Sequence, residues 1–133
     1  MKINICLFFF SLLFLSDLKS AELVIKILNI EENSGSIHFA VYDNPEFFPE
    51  NHGKKIGFKK SVTELTDGQV TITDLQESFY AVAIYHDKNS NDKFDTFLSI
   101  PQEKFGFSND AKVFFGPPSF DEACLLYTSP SPR

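Results

Sequence analysis

The stretch Phe79-Tyr-Ala-Val-Ala-Ile-Tyr-His-Asp87 decides the fold class of this 133-residue chain. Its larger apolar residues alternate with alanines, and this period of two is typical of a β-strand. Similar short runs recur along the chain, and turn-forming residues separate them. We therefore predict about six strands, over the apolar runs Leu23–Ile27, Ile37–Val41, Ile56–Val62, Val70–Ile72, Tyr80–Ile84 and Lys112–Phe115.

The arrangement of these runs predicts one all-β domain. No stretch of ten or more residues keeps a helical period of 3.6 without a Gly or Pro break. Many short strands with polar turns favour an antiparallel β-sandwich. The segment Asn33–Gly35 predicts a hairpin turn between the first two strands. The segment Asn44–Lys55 predicts a long connection with room for one helical turn.

Both ends of the chain are set apart from the predicted domain of residues 22–123. Residues 1–21 have the charged start, short apolar run and small final residues of a secretory signal peptide, and the run is too short to span a membrane. All ten residues of 124–133 match the translation of a transposase sequencing adapter. We therefore expect this tail to be foreign, and the native chain to continue past Ala123 with the missing last strand of the sandwich.

The charge of the predicted mature domain excludes one large class of function. It holds nine lysines and 17 acidic residues, so its net charge is −8, against −6 for the whole chain. So few cations cannot form the basic face that nucleic-acid binding requires. Since the signal also removes Cys6, the domain has no native cysteine once Cys124 is assigned to the tail. We expect a periplasmic or secreted protein with no membrane span after signal cleavage and with unknown partners.

The whole predicted mature segment, about Glu22–Glu122, resembles a known bacterial family, and its second half carries the most specific motifs. The run from Phe79 to Thr96 is followed by Ile100-Pro101, Phe105-Gly-Phe-Ser-Asn109 and Phe115-Gly-Pro-Pro-Ser-Phe120, and this order is similar to that of Domain of Unknown Function 2141. The resemblance implies a small exported sandwich of immunoglobulin- or prealbumin-like type, with no established activity. The family usually has Gly at three positions that here hold Ser78, Asp92 and Ser99.

One loop carries a cation-binding pattern. Oxygen-bearing side chains stand at positions 1, 3, 5 and 9 of the segment Asp87–Asp95, the spacing by which a tight loop wraps Ca²⁺. The ligands predicted from this spacing are Asp87, Asn89, Asn91, the backbone carbonyl of Lys93, and Asp95. Position 6 is Asp92 instead of Gly, and position 12 is Leu98, so a closing carboxylate has to come from elsewhere. The alternative interpretation is an ordinary solvated turn rich in Asn and Asp.

Other side chains give weaker signals. His86 is expected to be a packed or hydrogen-bonded residue at a strand end, with a role in orienting Asp87 as the alternative. His38 shares parity with Ser36 and is expected to face solvent. Three dispersed histidines without cysteine do not form a zinc pattern. The phenylalanines after residue 104 are expected in the core, and a basic cluster is expected at a solvated sheet edge; these are Phe105, Phe107, Phe114, Phe115 and Phe120, and Lys54, Lys55, Lys59 and Lys60.

These observations favour a non-enzymatic exported β-sandwich, acting as a binding or structural module with a Ca²⁺-ordered loop. The main alternative is a metal-dependent, hydrolase-like enzyme that uses the Asp87–Asp95 loop with His86 nearby. An enzyme needs an open cleft with several titratable groups converging on it, whereas a binding module does not. A carbohydrate-binding module ranks lower, because the predicted mature domain has no Trp and only three Tyr.

Overall fold

The computed structural model describes residues 22–127. The predicted signal peptide and residues 128–133 lie outside them, and the predicted domain boundaries stay predictions. Nine strands, one short α-helix and four single 3-10 turns make up the described chain. The strands are β1 Leu23–Lys26, β2 Ser36–Tyr42, β3 Ile56–Ser61, β4 Gln69–Ile72, β5 Ser78–Asp87, β6 Thr96–Phe97, β7 Ile100–Pro101, β8 Phe105–Phe107 and β9 Leu125–Tyr127; the helix is α1 Phe120–Ala123.

The strands confirm an all-β, antiparallel fold. The larger sheet has the order β3-β2-β5-β8, with β9 paired to the beginning of β5. A second sheet consists of β1 and β4, and β6 with β7 forms a separate hairpin. Every pairing is antiparallel. The immunoglobulin- or prealbumin-like assignment stays a prediction, as does the absence of a last strand.

The larger sheet has two different faces, because side chains alternate along each strand. The inner face, with Ile37, Phe39 and Val41 of β2 and Val82 and Ile84 of β5, packs toward β1 and β4. Burying these side chains removes apolar surface from water and holds the two sheets together. The outer face carries the alternate residues of the same strands, and it holds the candidate site.

Two predictions about the strands are wrong. The segment Asn33–Gly35 is not a hairpin turn between β1 and β2, because β1 pairs with β4 and β2 pairs with β3 and β5. Gly35 has a φ of 78° and lies against the backbone of Asp87, so the chain crosses from one sheet to the other here. The run Lys112–Phe115 is not a strand: Phe114 and Phe115 are both exposed, so it offers no buried face to pair and pack.

The helix α1 covers one end of the outer face. Ser119 accepts a hydrogen bond from the amide of Glu122, whose carboxylate in turn accepts from the amide of Ser119, so a capping box begins this helix. Phe120 and Ala123 pack on Tyr42 and Ala81. Across residues 22–127, none of the helical segments has the length and apolar character needed to cross a bilayer.

Candidate functional site

The first residue of the loop after β5, Asp87, fixes the conformation of the loop through hydrogen bonds. The side chain of Asp87 is completely buried, and it ends the strand. Its Oδ1 accepts a hydrogen bond from the amide of Asn91 at 3.1 Å, and its Oδ2 accepts from the amide of Asp92 at 2.8 Å. The buried carboxylate of Asp87 therefore accepts from two backbone amides of the loop and closes the loop into a tight turn.

The far end of the loop brings three of the predicted ligand residues together. The carboxylate of Asp95 accepts hydrogen bonds from the side-chain amide of Asn91, at 2.9 and 3.0 Å, and from that of Asn89, at 2.7 Å. These bonds, that from Asn91 first, hold the pKa of Asp95 below its ordinary value. The Oδ1 of Asn91 accepts from the amide of Lys93 at 2.9 Å, which fixes the peptide at position 7.

Glu103 is the residue that the spacing did not find. Its Oε1 accepts from the amide of Lys88 at 3.3 Å, and its Oε2 accepts from the amide of Asp95 at 3.1 Å. The β6–β7 hairpin returns the chain to the loop, where the amide of Gln102 donates to the carbonyl of Asp95. A carboxylate thus stands against the loop although position 12 is Leu98. No spacing rule reveals it, because its approach depends on the hairpin.

The backbone of the loop explains two of the departures from the family pattern. Asp92 has a φ of 61° and Ser99 a φ of 64°, both in the left-handed region that glycine adopts most readily. Asp at position 6 therefore makes the sharp turn that a calcium loop requires there. Ser78 lies in extended β5 and has no such conformation.

His38 does not simply face solvent, as its parity with Ser36 predicted. Its Nε2 lies 3.2 Å from Oδ2 of Asp87 and 3.5 Å from Oδ1 of Asp92. The ring stacks on Tyr85, with centroids 4.5 Å apart. Sequence reasoning missed this contact because it treated the outer face as a solvent face. His86 instead donates to the carbonyl of Ser34 at 2.6 Å, which confirms a hydrogen-bonded strand-end histidine.

His38, Asp87 and Asp92 offer ligand atoms that all lie within 4.8 Å of one another. A basic side chain already sits in this group, because Lys59 Nζ lies 2.6 Å from Oδ1 of Asp92. The hydrogen bond from Lys59 is the main cause of a lowered pKa at Asp92. The group is therefore a hydrogen-bonded network. It is also a second candidate set of metal ligands, beside the set predicted in the Asp87–Asp95 loop.

A groove of about 1240 Å³ runs over the outer face beside the loop. Its floor is built from β2 and β5, and the segments around residues 94, 100 and 114 rise along its sides. The late phenylalanines divide between core and groove. Phe120 is buried and Phe107 half-buried, whereas Phe105, Phe114 and Phe115 are exposed. The expectation that all five belong to the core is wrong for these last three.

A family model described as an uncharacterized protein conserved in bacteria, DUF2141, matches residues 25–131. The chain belongs to this family. The match extends into residues 124–133, whose resemblance to an adapter translation stays a prediction. No curated protein and no solved structure matches the chain. The family carries no named activity, so the site has to be interpreted from its own geometry.

Proposed function

We propose that this protein is an exported, non-enzymatic binding or structural module whose Asp87–Asp95 loop is ordered by Ca²⁺. The observation that carries the calcium proposal is the convergence of Asn89 and Asn91 on Asp95, with Glu103 against the same loop. Carboxylate and amide oxygens are the ligands that Ca²⁺ prefers. The sequence supports export through the signal-like residues 1–21.

The amide groups around Asp95 occupy the place that a cation would take. Asn89 and Asn91 direct their NH₂ groups at the carboxylate and so balance part of its charge. A bound Ca²⁺ would replace those partial positive charges with a full one, and the two amides would turn their oxygens inward. Lys93 would contribute its carbonyl, and Glu103 would supply the closing carboxylate that position 12 lacks.

The charged groups around the loop support a non-enzymatic role. Asp87 uses both carboxylate oxygens on loop amides and His38, and Asp92 is bonded to Lys59. His38 is stacked against Tyr85. A general base needs a lone pair free to reach a substrate proton, and these groups are engaged in holding the loop.

A thermal melt with chelator or with Ca²⁺ tests the calcium proposal. We expect a dissociation constant on the order of 10⁻⁴–10⁻³ M, as in extracellular modules. A tenfold excess of Ca²⁺ over this value stabilises the folded state by about 1.4 kcal/mol. For a domain of this size, the melting temperature should rise by roughly 4–10 °C. Mg²⁺ should raise it less, because it demands a tighter octahedron.

The Asp95→Asn variant should lose this calcium-dependent rise. Asp95 is a better probe than Asp87, because removing the buried Asp87 would loosen the loop with or without calcium. The matched control is Asp110→Asn, whose exposed carboxylate pairs with Lys112 outside the loop, and it should respond like the unmodified chain. Equal melting temperatures of the unmodified chain in the two buffers would identify the loop as an ordinary polar turn.

A metal-dependent, hydrolase-like enzyme is the second candidate, and the His38–Asp87–Asp92 group favours it. The two proposals differ at His38, which is a ligand only in the enzyme. Replacing His38 by Gln should leave the calcium-dependent rise in melting temperature intact if the loop oxygens bind the ion. Loss of metal binding in His38→Gln, together with retained binding in Asp95→Asn, would favour the enzyme instead.

A further inference from the structure

The bottom of the groove on the outer face is lined by residues with small side chains. Ala40 of β2 lies directly opposite Ala83 of β5 and opposite Gly57 of β3. Three adjacent strands thus have only Ala or Gly at positions that lie side by side across the sheet. Larger residues in these positions would fill the groove, so the groove exists because these three residues are small.

The side of the groove along β8 is aromatic. Phe105 and Phe107 project from β8, and Phe94 packs edge-on against Phe105, with centroids 5.8 Å apart. Phe114 and Phe115 line the same groove, yet 84% and 109% of their surface is accessible. Large apolar side chains that are exposed together around a cleft mark a binding surface.

The side along β3 is basic. Lys59 projects from β3, and Lys54 lies over Gly57 just before this strand. Lys93 also lines the groove, next in sequence to Asp92, whose carboxylate is bonded to Lys59. Three of the nine lysines of residues 22–123 line the groove, but only one of the 17 acidic residues does. The groove is therefore locally cationic in an otherwise acidic domain.

The two sides differ in a way that selects an amphipathic ligand. The sheet order places β3 at one edge and β8 at the other, with the floor between them. Four strands at their usual spacing set these edges roughly 14 Å apart. An anionic group would lie beside the lysines, and an apolar chain would extend over Ala40 and Ala83 to the phenylalanines. A sheet face also offers few free backbone groups, which disfavours an extended peptide.

We propose that the outer-face groove binds a single amphipathic carboxylate of the fatty-acid type. The carboxylate lies beside Lys54, Lys59 and Lys93, and the alkyl chain lies against the aromatic side. This inference rests on the binding role proposed above but does not depend on Ca²⁺. The two proposals therefore fail separately, since ligand binding is measured in chelator and calcium binding is measured without ligand.

The first test compares three probes on the unmodified protein, by calorimetric and NMR titration in chelator, below the concentration at which they form micelles. The probes are dodecanoate, dodecyltrimethylammonium and acetate. We expect saturable binding of dodecanoate, with shifts in the signals of Ala40 and Ala83. The cationic amphiphile should bind about tenfold more weakly, because it meets the lysines, and acetate should not bind measurably, because it lacks the chain.

Variants then locate the ligand. The double variant Lys54→Gln, Lys59→Gln should weaken dodecanoate binding about tenfold, whereas Lys26→Gln on the other sheet should not change it. Ala40→Leu should abolish binding by filling the floor. Its matched control is Thr71→Leu, another small-to-large change at a strand position outside the groove. The dispersion of the amide NMR signals shows whether each variant is folded.

The proposal would be overturned by equal binding of the anionic and cationic amphiphiles, by unchanged binding in folded Ala40→Leu, or by no saturable binding of dodecanoate. A separate arm uses vesicles of anionic and of zwitterionic lipid. Binding to anionic vesicles without binding of monomeric dodecanoate would assign the exposed phenylalanines to a membrane surface, and this too would overturn it. Because the probe comparison uses the unmodified chain, it decides the matter even where a variant does not fold.

Discussion

The two faces of the larger sheet are formed by the same strands but have different roles. On the inner face, Phe39 is 2% exposed and stacks on Phe58 at 4.7 Å, within a continuous apolar core. On the outer face, one residue away, His38 stacks on Tyr85 and reaches the buried carboxylate of Asp87. The inner face holds the sheets together, and the outer face carries the candidate sites. Alternation along a strand therefore identifies two faces, but it does not establish that the less apolar face is simply exposed to solvent.

The largest expected difference between the two faces is in stability, and truncating one phenylalanine on each face tests it. Phe39→Ala removes a buried ring and should lower the free energy of unfolding by about 3–5 kcal/mol. Phe114→Ala removes an exposed ring at the groove and should change it by no more than about 0.5 kcal/mol. Denaturant unfolding of the two variants measures both values. Similar losses would mean that the outer-face segment around Phe114 is part of the folding core.

The second prediction concerns the one buried charged side chain in the part of the chain that the structure describes. Asp87→Ala leaves the amides of Asn91 and Asp92 without their acceptor and His38 without its partner. We expect it to lower the free energy of unfolding by about 2–4 kcal/mol in chelator, since two loop amides lose their hydrogen bonds to a charged acceptor. Glu31→Ala, at an exposed carboxylate that pairs with Lys104 outside the loop, is the control and should change it little. A small loss in Asp87→Ala would show that the loop amides do not depend on this carboxylate.

The sequence predicted β1 to β5 because alternation is a local property. The runs at Leu23–Ile27, Ile37–Val41, Ile56–Val62, Val70–Ile72 and Tyr80–Ile84 all contain strands. The short strands β6 to β8 have two or three residues each, too few for a period to be recognised. The pairing of β1 with β4 also escaped prediction, because neighbours in sequence were assumed to be neighbours in space.

The candidate site was predictable where one loop contains it, and not where distant segments meet. The spacing of Asn89, Asn91 and Asp95 was enough to predict that they converge. Glu103 reaches the loop only through the β6–β7 hairpin, and His38 reaches Asp87 only through the register of β2 with β5. The groove is equally non-local, since its floor depends on small residues aligned across three strands. Such contacts follow from strand order, which composition and period do not specify.

The smallest expected effect concerns the ionisation of Tyr85, on the outer face. Burial raises the pKa of Tyr85 to about 12, and the carboxylates of Asp87 and Glu103 add to the shift. Because the folded state keeps its proton longer than the unfolded state, this contribution to stability is complete below about pH 10 and is lost as the pH rises toward 12. A spectroscopic titration of phenolate should therefore show a last step that Tyr85→Phe removes. Burial also raises the pKa of Tyr42, under α1 on the same face, but Tyr42→Phe should keep the last step. Loss of that step in Tyr42→Phe, and not in Tyr85→Phe, would assign the late ionisation to Tyr42.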